Sequence, residues 1–268
     1  MTSPPHAQAP VLYDVVDGVG TITLNRPDAM NSLDVAAKEL LRDSVQQAAV
    51  DPAVRCVVLT GTGRAFCTGQ DLKEHVAILQ SGTSALFSTV DEHYNPIVLA
   101  LAEMAKPVIA AVNGVAAGAG ASLAFACDLR VVAQTAGFNL AFANIALSCD
   151  TGSSATLQAL VGQARALELL YFPRTVSADE ALALGLATQV VAPEELDATV
   201  ATLAARLAAG PTLALGSIRR SVHHAADHTF AEALAFESAR MAETGASLDH
   251  HHAVEAFLTK QKPTFQGR

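Results

Sequence analysis

The residues from Lys106 to Ala126 read Lys-Pro-Val-Ile-Ala-Ala-Val-Asn-Gly-Val-Ala-Ala-Gly-Ala-Gly-Ala-Ser-Leu-Ala-Phe-Ala, without a charge after the lysine. An apolar run that breaks into small residues predicts a buried strand, a tight turn and then a helix. Gly and Ala let backbone come close to a ligand, so the amides from Gly118 to Gly120, at a helix start, are suited to hold an oxyanion. A second loop of the same physical type, Gly61-Thr-Gly-Arg-Ala-Phe-Cys-Thr-Gly-Gln-Asp-Leu-Lys, also leads into a helix. The chemistry offered is stabilisation of charge on an oxygen by main-chain N–H groups. Two plainer readings compete: a structural strand-turn-helix, and a membrane helix packed through Gly114-x-x-x-Gly118. The Ala and Gly content, Asn113, Ser122 and the want of a second span make the membrane reading the weakest.

The elements that must carry these turns follow from punctuation and periodicity. Val11 to Val16 and Val19 to Leu24 flank Asp17-Gly18, a dipeptide favoured in type I′ turns, and predict a β-hairpin. A helix is expected from near Ser32, with Ala36, Leu40, Leu41 and Val45 on one face, until Asp51-Pro52 stops it. A strand follows from Val54 to Thr60, then the first Gly loop and a long helical stretch ending near Lys106. The strand before Asn113 leads to the second turn, and Asp128 to Ala133 reads as another buried strand. Repeated strand-strand-helix alternation places the chain in the α/β class. Ser177-x-x-Glu180 reads as a capping box opening a short helix that Gly185 ends. Beyond Leu186 to Val191 the chain turns helical, with Gly210-Pro211 as a break. The expected organisation is a flexible tail over 1–10, a core domain over 11–193 and a helical region over 194–268.

Composition narrows the function classes. With 268 residues, 51% of them hydrophobic and 16% charged, the chain can bury a sizeable core. Its 17 basic and 26 acidic residues give a net charge of -9, which argues against a nucleic-acid surface as its main business. Cys56, Cys67, Cys127 and Cys149 contain no C-x-x-C pair, so they read as cytosolic thiols, neither a zinc knuckle nor a disulfide framework. Met1 to Pro10 is Pro-rich and polar, a loose tail in place of a signal peptide, and the expected compartment is the cytoplasm. His250-His-His reads as surface histidines and no metal is assigned. Cys149 reads as a small buried thiol in preference to a nucleophile, since no His partner is evident.

Several motifs in order resemble the crotonase family, the enoyl-CoA hydratase/isomerase superfamily. They are Leu24-Asn-Arg-Pro, Gly63-Arg-Ala-Phe-Cys-Thr-Gly-Gln-Asp-Leu-Lys, Lys106-Pro-Val-Ile-Ala-Ala-Val-Asn-Gly, Ala126-Cys-Asp-Leu-Arg and Ala178-Asp-Glu-Ala-Leu-Ala-Leu-Gly-Leu-Ala. The resemblance covers nearly the whole chain. It implies a spiral of strand-strand-helix turns with a helical C-terminal region that builds trimers, often paired into hexamers. It implies an acyl-CoA thioester substrate that brings its own coenzyme A, with no further cofactor. The thioester oxygen would be held by the backbone amides of Gln70 and Ala119. Contacts to the CoA portion would come from Arg26, Ala29, the Gln70-Asp71-Leu72-Lys73 segment and Gly118, with Lys260 reaching in from a neighbouring subunit.

The chain departs from the common hydratase pattern. Ser122 and Phe142 stand where that pattern places its two glutamates, so ordinary water addition has lost its acid–base carriers. A carboxylate follows at Asp150, in Ile145-Ala-Leu-Ser-Cys-Asp-Thr-Gly-Ser-Ser. In the branch that resembles the ring-epoxide isomerase of phenylacetyl-CoA degradation, an aspartate at the equivalent place shuttles a proton. The leading expectation is therefore double-bond isomerisation, with Asp150 as the shuttle. Asp150 also suits the N-cap of the next helix. Two further readings stand: a hydratase or thioester hydrolase positioning water through Ser122 or Asp150, and a non-catalytic acyl-CoA binder. Phe87, Phe125, Phe138 and Phe142 are candidates for an acyl pocket, though aromatic residues more often build plain core.

Overall fold

The computed structural model describes residues 9–81 and 88–268. It opens with the expected hairpin, β1 (Val11–Val16) against β2 (Val19–Leu24), paired antiparallel. Asp17 and Gly18 both take positive φ, 49° and 81°, as a type I′ turn requires. The tail expected over 1–10 is tied down at its end: Asn25 N–H donates to Pro10 O at 2.8 Å. Helix α1 (Val35–Val50) starts later than expected, because the Asp34 carboxylate accepts from Ala37 N–H and caps it. Its buried face is Ala37, Lys38, Leu41, Val45 and Ala48, which leaves Ala36 and Leu40 outside and brings a lysine into the interior.

From here the chain repeats one unit. Strand β3 (Cys56–Gly61) is followed by β4 (Ala65–Cys67) and α2 (Leu72–Ser81). A π-turn over Val90–Tyr94 and α3 (Asn95–Glu103) lead to β5 (Val108–Val112), β6 (Val115–Ala117) and α4 (Ala119–Ala126). Then come β7 (Leu129–Ala133), β8 (Gly137–Asn139), a 3-10 turn over Ala141–Ile145, α5 (Ser153–Val161) and α6 (Gln163–Tyr171). The first strand of each unit joins a six-stranded sheet in the order β1-β2-β3-β5-β7-β10, and the second joins a four-stranded sheet, β4-β6-β8-β9. Neighbouring units pair in parallel in both sheets, which winds the chain into a spiral.

Strand β9 (Val176–Ser177), α7 (Ala178–Leu184) and β10 (Gln189–Val191) close the two sheets. The Ser177 hydroxyl caps α7 and Gly185 ends it at φ 81°, but the Glu180 carboxylate pairs with Arg174 and leaves the capping box half made. A complete box occurs at Thr229 and Glu232 instead. Helix α8 (Leu196–Ala208) falls within the helical region expected over 194–268, and its stripe of Leu196, Val200, Ala204 and Ala208 is part of the core. Burying such a stripe against a sheet is what holds a helix of this kind in place. Helices α9 (Thr212–Ala225), α10 (Phe230–Gly245) and α11 (Leu248–Leu258) complete the chain. Arg219 on α9 docks them: it pairs with Asp128 at 2.7 Å and donates to the carbonyls of Leu101, Ala102 and Met104. Asp128 also accepts from Val108 N–H, so one motif aspartate joins β5 to the C-terminal helices. Among the described residues no single helix is long and apolar enough to cross a membrane.

Candidate active site

Strands β4 and β6 are parallel neighbours, so the turns that leave them emerge side by side. In the first turn Leu33 N–H donates to Gly69 O at 2.7 Å and Asp71 N–H donates to Leu33 O at 3.0 Å. This parallel bridge faces Leu33 and turns the N–H of Gln70 to the opposite side. In the second turn Gly118 is the N-cap of α4, at φ 51° and ψ -125°, and its N–H is taken by Asn139 O. Ala119 is then the first residue of the helix, where no backbone acceptor lies behind the N–H. Among the described residues neither Gln70 N–H nor Ala119 N–H meets a protein acceptor.

Two close approaches bring these donors to one place. A methyl group on Gly69 would stand 3.2 Å from Ala119 N, and one on Gly120 would stand 2.1 Å from Cys67 O. Glycine at both positions lets the loop after β4 lie directly on the first turn of α4. The space over Gly118 is open, with no atom within 4 Å of an added methyl. Two main-chain donors beside an open space suit an oxygen that gains negative charge, and each such donor contributes about 3 kcal/mol to a transition state.

The side chain of Gln70 enters a buried polar network. Its Oε1 accepts from Tyr94 Oη at 2.7 Å and from Lys38 Nζ at 3.3 Å, and its Nε2 donates to Glu74 Oε1 at 2.9 Å. Lys38, only 1% exposed, also pairs with Glu74 at 2.9 Å and donates to Thr89 Oγ1 at 2.8 Å. Burial alone would raise the Glu74 carboxyl, but the Lys38, Val35 and Gln70 donors outweigh it and hold it low. Sequence reasoning missed Lys38 and Tyr94. A one-residue rotation of the predicted helix face would have drawn attention to Lys38, whereas nothing in the local pattern marks Tyr94.

Asp150 lies on the connection that leaves β8, the third parallel strand of the small sheet. Its carboxylate accepts from Thr151 Oγ1 at 2.8 Å, and its backbone carbonyl accepts from Ser153 N–H and Ser153 Oγ. Burial pushes the carboxyl above its ordinary value, against the lowering by the Thr151 bond. The capping alternative is corrected: Gly152, at φ 75°, is the N-cap of α5 and no side chain caps that helix. The same carboxylate is close enough to Tyr94 for its charge, after burial and Cys67, to raise the phenol. Ser122 is fully buried, with Oγ 3.1 Å from Gly118 O and 2.9 Å from Ser153 Oγ, so it presents no hydroxyl to the open space.

The residues expected at the CoA portion separate. Arg26 is held by Asp34 and Asp71, each at 2.9 Å, and also donates to Ser32 O. Asp71 is buried; burial would raise its carboxyl, but Arg26, the Glu74 and Lys73 amides and Ser32 together lower it. Arg26 and Asp71 thus brace the start of α2. Ala29, in a 3-10 turn, is half-buried, while Leu72 and Lys73 are exposed beside the oxyanion loop. Lys260 is exposed beyond α11, and among the described residues no hydrogen bond or ion pair joins it to this site. Phe125, Phe138 and Phe142 are buried in the core, the first two with ring centroids 5.0 Å apart, and Phe87 lies outside the described residues. Cys149 is half-buried and all four thiols are free. His250, His251 and His252 are exposed on α11.

Residues 14–268 match the family model described as enoyl-CoA hydratase/isomerase. The chain belongs to this family. It is 40% identical over 258 residues to a 1,2-epoxyphenylacetyl-CoA isomerase of Escherichia coli strain K12, covering 96% of this chain and 98% of that protein. It is 32% identical over 259 residues to an (E)-benzylidenesuccinyl-CoA hydratase of Thauera aromatica, with 96% and 99% covered. Among solved structures, an enoyl-CoA hydratase of Mycobacterium smegmatis superposes with a TM-score of 0.88 at 34% identity, covering 95% of this chain and 98% of that one. The fold of this enoyl-CoA hydratase/isomerase family member is therefore the one its motifs resembled. Both activities occur in the names of its relatives, so the choice between them rests on the site.

Proposed function

We propose that the chain is an acyl-CoA isomerase of the cytoplasm that moves a double bond through an enolate. The amides of Gln70 and Ala119 hold the thioester oxygen as it gains charge, and Asp150 removes a proton and returns it to another carbon. The observation that carries this reading is the charge inventory of the site. The hydratase glutamate positions hold Ser122 and Phe142, both buried, while Asp150 supplies a carboxylate whose affinity for protons is raised by burial. A base of raised pKa is better matched to proton shuttling near neutral pH than an ordinary aspartate. The isomerase named among the relatives supports the same choice.

Coenzyme A arrives with the substrate, and the exposure of Lys73 beside the donor loop supports a contact with its phosphates. A trimer, or a dimer of trimers, is supported by apolar side chains that α9 to α11 leave exposed, among them Ile218, Val222, Phe230, Met241, Phe257 and Leu258. In such an assembly Lys260 of one subunit would serve a neighbour.

The test is a turnover screen with saturated, 2-enoyl, 3-enoyl and aryl-acetyl CoA esters, read by mass and ultraviolet spectrum in ¹⁸O-labelled water. Isomerisation converts a 3-enoyl ester at constant mass. Uptake of ¹⁸O would replace this reading with a hydratase or hydrolase. Tight binding without turnover across the panel would make the chain a non-catalytic acyl-CoA binder.

A further inference from the structure

Ser122 and Ser153 are separated by 31 positions, and both are completely shielded from solvent. Their hydroxyl oxygens lie 2.9 Å apart. Ser122 belongs to α4, whose first N–H is one of the two oxyanion donors, and its own N–H already serves Gly118 O at 3.1 Å. Ser153 opens α5, and its hydroxyl donates to Asp150 O at 2.5 Å. Two hydroxyls supply two protons. With Ser153 committed to Asp150 O, the single Ser122 proton is shared between Ser153 Oγ at 2.9 Å and the carbonyl of Gly118 at 3.1 Å, and the pair links the first turn of α4 to the Asp150 peptide.

The Asp150 segment needs such a tie. Between the 3-10 turn ending at Ile145 and α5 it has no strand or helix, and it contains Ala146, Thr151 and Gly152 at positive φ. The Asp150 carboxylate itself is held only by its neighbour Thr151 among the described residues. A proton shuttle must be fixed relative to the oxyanion donors to within about 0.5 Å, a precision that loops reach only when other residues lock them.

We propose that Ser122 and Ser153 are positioning residues: a two-hydroxyl link that sets Asp150 against the donor at the start of α4. This rests on the isomerase reading given above. In place of the acid–base work that a glutamate would do at position 122, the buried serine does mechanical work.

The experiment compares the parent with Ser122→Ala, Ser153→Ala and the double variant, using a 3-enoyl-CoA ester. Each single change is expected to lower kcat about 10- to 100-fold, as misplacement on the ångström scale does, with KM changed less than about twofold. The double variant should fall no further than the worse single one, because one link is cut once. The near-isosteric Ser122→Cys and Ser153→Cys, which keep volume but have only a weak donor, should show the same pattern if an alanine variant fails to fold. Folded fraction is measured by urea unfolding for every variant. Unchanged kcat, multiplicative losses in the double variant, or losses that vanish once activity is divided by folded fraction would each overturn the proposal. A parent that isomerises no ester would instead overturn the isomerase reading, so the two failures are distinguishable.

Discussion

The two halves of the site are built from different parts of the chain. The proposed oxyanion turn is made of backbone, the N–H groups of Gln70 and Ala119, while the Gln70 side chain is engaged in the Lys38 and Tyr94 network. The proposed acid–base half depends on one side chain, that of Asp150, on a segment without regular structure. A backbone site tolerates many side chains at its own positions but not a change in how closely two segments approach. A side-chain site tolerates local shifts poorly and substitution hardly at all. On the proposed reading the substrate handle is fixed by glycines and helix geometry, whereas the reaction is decided by where a carboxylate stands.

The largest expected effect tests the side-chain half. Asp150→Asn keeps shape and the Thr151 contact while removing the base, and should lower isomerisation about 10³-fold with acyl-CoA affinity retained. Because Asp150 must be ionised to take a proton, kcat of the parent should fall as pH drops, with its inflection above the ordinary value of 3.8, since burial raises the group. Steady-state rates from pH 4 to 9, set against equilibrium binding of a saturated ester, check both statements. An asparagine variant with parental kcat would erase the distinction between the halves.

The backbone half is reached through glycine. Gly120→Ala places a methyl 2.1 Å from Cys67 O, so the loop and α4 must separate. We expect kcat to fall about 10²-fold, with affinity for an enolate-like inhibitor falling in step, because the donors no longer converge. Affinity for that inhibitor kept at the parental level would show that the two amides do not act together.

The smallest effect concerns the support behind Gln70. Lys38→Met removes the cation from a buried pair with Glu74, which retains 19% side-chain exposure. Stability to urea should drop by about 1.5–3 kcal/mol, the range for a hydrogen bond to a charged group, with kcat reduced only severalfold. A kcat loss as deep as that of Asp150→Asn would place Lys38 in the chemistry and blur the comparison.

Much of this was readable from residues alone where the signal is local. Asp17-Gly18 specified its turn because few dipeptides take positive φ twice. The turn after Asn113 announced a helix start because small uncharged residues there have few other uses. What was missed depended on which way a side chain faces. Lys38 was overlooked because the helix begins at the Asp34 cap and its face is rotated from the expected one. Asp150 was credited with a capping role that Gly152 takes, since a run of Asp-Thr-Gly-Ser offers several starts and only the path of the chain selects one. The Arg26–Asp71 pair joins residues 45 positions apart, a separation at which no spacing rule operates.

The sequence by itself determined the family, the alternation of strands and helices and the presence of two glycine turns. These are matters of residue type and local order. The tertiary structure decided that the two turns lie against each other, that Ser122 faces Ser153 and not the open space, and that Asp150 keeps its carboxylate clear of the helix end. Each of these is a distance between segments far apart in the chain, set by the parallel pairing of β4, β6 and β8, and distance is what turns donors and a base into a site.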